Sequence, residues 1–282
     1  MNGNRLRDLE GHVMDVYKCR FFPSGLVILS GGIDMSVRVW SVETGTCPRT
    51  FKGHTSGWYL GEKSFDNSRE ACFAAVSDLA IIGVGREVLS CSHDGTIVKW
   101  LCQDGSVQEQ WRPEAGPCNA IAISSDFTMF AVACEERKCV VYSVSGPMLS
   151  TIATDNVPTA VCIDCDYYHI VYIGDEQGMV SVYDAKTKSF ICRLKTDRAG
   201  VIKIMAREEG LFVAFSSVIP LTVVVVGDGS MCCYARDFSP NEVCPLYEFT
   251  GSDCDPIYDF CFNKKHLFTA CRDGVVRRYR IP

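Results

Sequence analysis

Six times along this chain an aromatic residue stands six positions after a turn residue, and the segment between them is rich in strand-forming residues. The clearest copies run from Ser30-Gly31-Gly32-Ile33-Asp34 to Val39-Trp40 and from Ser90-Cys91-Ser92-His93-Asp94 to Lys99-Trp100. Weaker copies run from Glu136 to Tyr142, Gln177 to Tyr183, Asp228 to Tyr234 and Asp273 to Tyr279. The intervals between the aromatics are 60, 42, 41, 51 and 45 residues. A unit of about 40–45 residues with four short strands cannot bury its faces alone, so such units stack and share a core. This spacing leaves no room for long amphipathic helices.

The period is the signature of an all-β fold, a WD-repeat β-propeller, here with six recognisable blades in one domain, 1–282. Propellers are mostly binding platforms, which moves the functional question from catalysis to partners. Gly11-His12 precedes the first copy, and Ser30, Asp34 and Trp40 follow; Gly53-His54, Ser90, Asp94 and Trp100 repeat the set. In WD repeats these residue types form a buried chain: the turn Asp accepts from the His, the His meets the strand Ser, and the Ser meets the indole N–H. Each bond contributes roughly 0.5–1.5 kcal/mol net, and an unpaired buried partner costs more. The last copy keeps Thr269, Asp273 and Tyr279, with Asp253 where His would stand, and Asp155 and Asp197 occupy similar places in earlier blades. His-to-Asp and Trp-to-Tyr thus change together, which predicts a shorter hydrogen-bonded set there.

Composition narrows the partners. The 282 residues are 47% hydrophobic with a formal net charge of −6, so a large core is available and a basic stripe for nucleic acid is not. Arg277, Arg278 and Arg280 form the one tight basic cluster and read as an exposed last strand. Seventeen cysteines, an odd number, fall largely in apolar strands (Cys19, Cys91, Cys134, Cys162, Cys261 and Cys271), where Cys serves as a small core residue. The start Met1-Asn2-Gly3-Asn4-Arg5 lacks signal-peptide character, and a reducing, cytoplasmic setting is expected, with the nucleus as a second compartment. Cys162-Ile163-Asp164-Cys165 is a lone CxxC without a second pair or a His at metal spacing, so no metal site is expected.

Two intervals exceed the period. The longer places its excess near Trp58 to Ala75; the other places it around Phe215 to Val225, inside the second strand of that blade. Leu211 to Gly227 is free of charge and reads either as a short membrane span or as an apolar insertion, and Ser216, Ser217 and Pro220 within it, together with its position inside the array, favour the insertion. No membrane attachment is expected.

Catalytic constellations do not emerge. The chain has no GxxxxGK[ST] phosphate loop and no GxSxG nucleophile turn. His12 and His54 belong to structural sets, and Asp164/Asp166 and Asp253/Asp255 read as turn and strand-end chemistry. No enzyme activity, catalytic residue or cofactor is expected.

The two ends of the chain carry a more specific pattern. Leu9-Glu10-Gly11-His12-Val13-Met14-Asp15-Val16, then Cys19-Arg20-Phe21-Phe22-Pro23-Ser24-Gly25-Leu26-Val27-Ile28-Leu29-Ser30-Gly31-Gly32, resembles the proteasomal ATPase-associated factor family. So does Thr250-Gly251-Ser252-Asp253-Cys254-Asp255-Pro256-Ile257-Tyr258 with Cys271-Arg272-Asp273-Gly274-Val275-Val276-Arg277-Arg278-Tyr279; the likeness is diffuse from Cys102 to Phe249. The resemblance implies a WD-repeat chaperone of the proteasome regulatory particle. Such a protein binds C-terminal domains of the ring ATPase subunits while the base assembles, and it restrains premature docking onto the core particle. It also implies an extra N-terminal domain and a further blade, seven in all; of that blade only the tail, Arg5-Leu6-Arg7-Asp8-Leu9, would be represented here. A first strand pairing with a three-stranded last copy would instead close six blades by strand exchange.

The residue before each turn residue, and the residues leading into each first strand, are expected at the rim of a binding face. These are Asp15, His93, Glu135, Glu176, Tyr258 and Arg272. Several carboxylates there suit a basic partner surface and faster encounter. A monomeric chaperone is the leading reading; a generic scaffold or ubiquitin-ligase substrate adaptor is the alternative. Such adaptors often end a blade with Trp-Asp-x-Arg, which Trp40-Ser41, Trp100-Leu101 and Tyr183-Asp184-Ala185-Lys186 do not supply.

Overall fold

A computed structural model describes residues 7–55, 74–196, 198–207, 210–215, 231–235, 245–249, 257–263, 266–271 and 275–281. They form six antiparallel sheets in chain order, with no helix among them. Blade 1 is β1 (Val16–Phe21), β2 (Val27–Gly32), β3 (Ser36–Ser41) and β4 (Arg49–Lys52). Blade 2 is β5 (Val76–Ile82), β6 (Glu87–Ser92), β7 (Ile97–Leu101) and β8 (Val107–Trp111). Blade 3 is β9 (Cys118–Ile123), β10 (Met129–Cys134), β11 (Lys138–Ser143) and β12 (Met148–Ala153). Blade 4 is β13 (Pro158–Ile163), β14 (Ile170–Asp175), β15 (Met179–Asp184) and β16 (Ser189–Lys195). Blade 5 is β17 (Val201–Arg207), β18 (Gly210–Phe215), β19 (Met231–Tyr234) and β20 (Tyr247–Phe249); β21 (Ile257–Asn263), β22 (His266–Cys271) and β23 (Val276–Arg280) form the sixth.

Burial follows position in the blade. The second strands β10, β14 and β18 are buried along their whole length, and they read as continuous apolar runs. The fourth strands β4, β12 and β16 alternate exposed and buried residues, as strands with one wet face do.

The chain divides into two compact units, Met1–Ile121 and Ala122–Pro282. In the first, Leu29, Val37, Val39 and Phe51 of blade 1 pack on Val76, Leu79, Val88 and Trp100 of blade 2. Each such aliphatic side chain contributes roughly 1.5–3 kcal/mol on burial. In the second, Tyr172, Val180 and Leu194 of blade 4 pack on Val201, Ile204, Val213 and Phe215 of blade 5, and Phe212 and Phe249 pack with Ile257, Phe260 and Leu267 of blade 6.

The first strands of blades 1, 2, 4, 5 and 6 each carry a bulge one residue after their start. In blades 2 and 4 the bulged residue is a hydroxyl, and it is used between blades. Ser77 Oγ donates to the carbonyl of Cys118 at 2.5 Å, and Thr159 Oγ1 donates to that of Val201 at 2.5 Å. Asp78 beside it is buried; it accepts from Arg20 of β1 at 3.1 Å and from the Ile121 amide of β9 at 3.2 Å.

Some expectations need correction. Cys19 and Cys261 are exposed rather than core residues, because they lie on first strands whose outer faces are open, whereas Cys91 and Cys134 are buried. Of the apolar excess expected in blade 5, only Phe215 is described. Phe215 is fully buried, pairs with Val201 and ends β18, and Ala214 already pairs with Met231 of β19. The rest of that excess, like the one near Trp58 to Ala75 up to residue 73, lies outside the described residues. Among the described residues no helix is long and apolar enough to cross a membrane.

Candidate protein-binding edge and the hydrogen-bonded sets behind it

Blades 1 and 2 contain the same relay. In blade 2, His54 Nδ1 lies 3.2 Å from Asp94 and 3.0 Å from Thr96 Oγ1, and His54 Nε2 lies 2.7 Å from Ser90 Oγ. Ser90 Oγ accepts the indole N–H of Trp100 at 2.8 Å. A hydroxyl has one proton, so with the indole donating to Ser90, the Ser90 proton goes to His54 Nε2 and the His54 Nδ1–H points to Asp94. The neutral tautomer is thereby fixed by the Trp. Asp94 spends its other oxygen on its own turn, accepting from the Thr96 amide at 2.8 Å and the Thr96 hydroxyl at 2.6 Å, and the Thr55 amide adds a bond at 2.9 Å. Burial works against the Asp94 carboxylate, yet the hydrogen bonds from His54, Thr96 and Thr55 bring its pKa down to about 2.

Blade 1 matches. His12 Nδ1 is 2.8 Å from Asp34, His12 Nε2 is 2.6 Å from Ser30 Oγ, and Trp40 Nε1 donates to Ser30 at 2.7 Å. Burial also opposes ionisation of Asp34, but the bonds from Ser36 and His12 outweigh it and lower its pKa. The glycine before each His makes room for the indole, and before His12 for the Arg38 guanidinium as well, 2.9 Å from a Cβ there. A Cβ on Gly53 would come within 2.6 Å of Trp100, and one on Gly11 within 3.1 Å of Trp40.

The later blades depart from this. In blade 3 the position ten before the aromatic is Val132, fully buried, and Glu136 is an exposed partner of Lys138 at 3.3 Å. In blade 4 the Ser position is Ile173, and Asp155 does not replace His: it sits outside, paired with Arg193 at 2.5 Å. Its neighbour Asn156 donates instead to Asp175 at 2.9 Å, and Asp175 also caps the Gln177 and Met179 amides at 2.9 Å each. Tyr183 turns its hydroxyl away to Ser150 of blade 3, at 2.9 Å. Asn156, Asp175 and Ser150 stand outside the Gly-His, Ser and Asp-to-aromatic spacing of the repeat, although Asp175-Glu176-Gln177-Gly178 is itself a turn signal. In blade 6 Thr269 is buried and Tyr279 meets Phe249 edge-on at 5.3 Å, while Asp197, Asp253 and Asp273 lie outside the described residues.

In blades 1 and 2 the relays hold the turns between second and third strands, and the described residues named above as rim candidates lie on these turns, on their counterparts in blades 3 and 4, or just before a first strand. The amide of the residue before the turn Asp or its equivalent donates to the carbonyl of the residue before the first strand: Ile33 to Asp15 at 2.9 Å, His93 to Ala75 at 3.0 Å, Glu176 to Val157 at 3.1 Å. Asp15, Glu135 and Glu176 are exposed and His93 is half-buried. Arg272 and the Tyr258 side chain lie outside the described residues.

Cys162 of the CxxC pair packs against the core shared by blades 4 and 5. Burial pushes the Cys162 thiol up to about 12, and its sulfur accepts the Ala206 amide at 3.4 Å. Cys165 lies with Asp164 and Asp166, their ligand atoms within 4.8 Å of one another. Asp164, however, already accepts from the Asp166 and Tyr167 amides and from the Tyr172 hydroxyl at 2.6 Å.

These sheets and relays define the class, a six-blade WD-repeat β-propeller. A WD domain, G-beta repeat, matches residues 3–41. A solved structure described as a mitotic checkpoint complex shares the fold, with a TM-score of 0.76 at 14% identity over 94% of this chain and 74% of that one. Human proteasomal ATPase-associated factor 1 is 28% identical over 99% of this chain and 68% of its own length. The 26S proteasome regulatory subunit RPN14 of Saccharomyces cerevisiae is 28% identical over 66% of this chain, and the match spans 47%, about half, of that protein. These similarities support the proteasomal ATPase-associated WD-repeat family.

Proposed function

We propose that this protein is a non-catalytic chaperone that binds the C-terminal domains of proteasomal ATPase subunits and assists assembly of the regulatory particle base. The observation that carries the reading is the alignment with human proteasomal ATPase-associated factor 1, which runs along 99% of this chain. The binding edge in this reading is the turn edge bearing Asp15, His93, Glu135 and Glu176, together with Tyr258 and Arg272. Exposed carboxylates held on hydrogen-bonded turns suit a basic face, because fixed charge steers encounter without costing side-chain order. The protein acts as a monomer in the cytoplasm and nucleus, without nucleic acid, membrane or metal. The test is a kinetic binding measurement, by surface plasmon resonance, of the purified chain on an isolated C-terminal domain of each ATPase subunit. Binding that slows on association as salt rises, and weakens on Glu135→Ala with Glu176→Ala, supports the reading. Co-purification with ligase scaffold subunits and no ATPase domain would favour the adaptor alternative.

A further inference from the structure

The relay of blade 1 holds a second piece of backbone besides its turn, the loop that leads into β1. The Val13 amide donates to Asp34 Oδ2 at 3.4 Å, and the Ile33 amide donates to the Asp15 carbonyl at 2.9 Å. These two bonds set the loop Val13-Met14-Asp15 beside the turn Ile33-Asp34-Met35. The Met35 amide closes that turn on the Gly32 carbonyl at 3.2 Å. Val13 is 82% exposed and Met14 43%, and Met35 is half-buried. With the Val13 amide and the Asp15 carbonyl spent inside the blade, this part of the rim offers aliphatic and thioether surface.

We propose that Val13, Met14 and Met35 are the apolar anchor of the rim, where the ATPase C-terminal domain of the assembly reading, on which this inference rests, docks an aliphatic or aromatic side chain beside Asp15. The counterparts in other blades differ in chemistry. In blade 2, Thr55 and Gly95 stand where Val13 and Met35 do. In blade 4, where the Glu176 amide meets the Val157 carbonyl as Ile33 meets Asp15, Asp155, Asn156 and Gly178 stand for all three. Asp94 holds the Thr55 amide as Asp34 holds that of Val13, so the geometry repeats while the exposed group changes from a hydroxyl to an isopropyl. Exposed apolar groups that cluster mark interaction sites, and a loop already fixed by its own blade loses little order on binding.

Met35 adds an independent observation. Its φ of 57° is left-handed, at the position where Gly95 has 76° and Gly178 has 81°; exposed Arg137, at 54°, is the blade 3 counterpart. Glycine takes this conformation freely, whereas the methionine Cβ crowds its own backbone. Blade 1 thus keeps at its turn a side chain that the backbone disfavours, and strain of this kind collects at binding sites. An unbranched thioether also adapts its shape to a partner's surface. The anchor and the carboxylates then act on different steps: exposed charge sets how fast partners meet, and apolar contact sets how long they stay.

The test is surface plasmon resonance of the whole chain on each isolated ATPase C-terminal domain, with association and dissociation read separately. Val13→Thr combined with Met14→Ser should speed dissociation about tenfold and leave the association rate and its salt dependence unchanged. Met35→Gly should speed dissociation about threefold while the melting midpoint stays unchanged or rises, a split that damage to the fold would not produce. Val84→Thr, at a position 76% exposed on the turn between β5 and β6, should alter neither rate. Unchanged dissociation in either anchor variant, a lowered midpoint in Met35→Gly, or an equal loss in Val84→Thr would overturn the anchor while the unaltered chain still binds and the assembly reading stands. An unaltered chain that binds no ATPase domain would overturn both, so the two failures are distinct.

Discussion

Blades 2 and 4 have the same four-strand topology and register, but their turns are held by different chemistry. In blade 2 a relay crosses from Trp100 through Ser90 and His54 to Asp94, wholly within buried side chains. In blade 4 the relay is cut. Ile173 fills the hydroxyl position, Asn156 and Asp175 hold the turn from its edge, and Tyr183 reaches to blade 3. The turn needs a carboxylate to cap its amides; it does not need the Trp and His behind it. Where those are present, the core is committed to a polar network whose parts fail together.

That contrast can be broken most severely at the indoles. Trp100→Ala should destabilise by about 3–5 kcal/mol, the range for losing a buried Trp, and denaturant unfolding measures it. Trp40→Ala should cost as much, and an unchanged midpoint in either variant would remove the relay from the core. Ser90→Ala comes next. It leaves His54 Nε2 and the Trp100 N–H without their partner, at about 1–3 kcal/mol each, whereas Ile173→Val in blade 4 should cost about 0.5–1.5 kcal/mol.

Acid gives a third separation. The folded pKa of Asp94, about 2, lies below its ordinary 3.8, so its contribution is complete above the ordinary value and is lost as pH falls from about 4 through 2. Asp94→Asn should flatten that part of the stability–pH curve; an unaltered acid limb would mean the carboxylate is not held down. Tyr183→Phe should cost about 1 kcal/mol through the bond to Ser150, read from the thermal midpoint. Asp155→Ala should change stability by less than about 1 kcal/mol, because its pair with Arg193 is a surface one. A larger loss would restore Asp155 to the place of the missing His.

The repeat was legible because its signals are local. Gly-His, Ser and Asp-to-aromatic spacings sit within one strand–turn–strand unit, and buried second strands need continuous apolar runs whatever surrounds them. From Gly11 and Gly53 to Trp40 and Trp100, the residues of blades 1 and 2 determined their own relay geometry, because the register of an antiparallel pair leaves the indole one hydroxyl to meet. What only the tertiary structure decided lies between blades and at their ends. The partnership of Asp78 with Arg20 and the Ile121 amide joins three blades across 58 and 43 residues of sequence, and no spacing rule reaches that far. The placement of Cys19 and Cys261 in solvent, and of Asn156 rather than Asp155 on its turn, was likewise decided by packing. A strand's pattern fixes which residues share a face, but what covers that face is set by the neighbouring sheet.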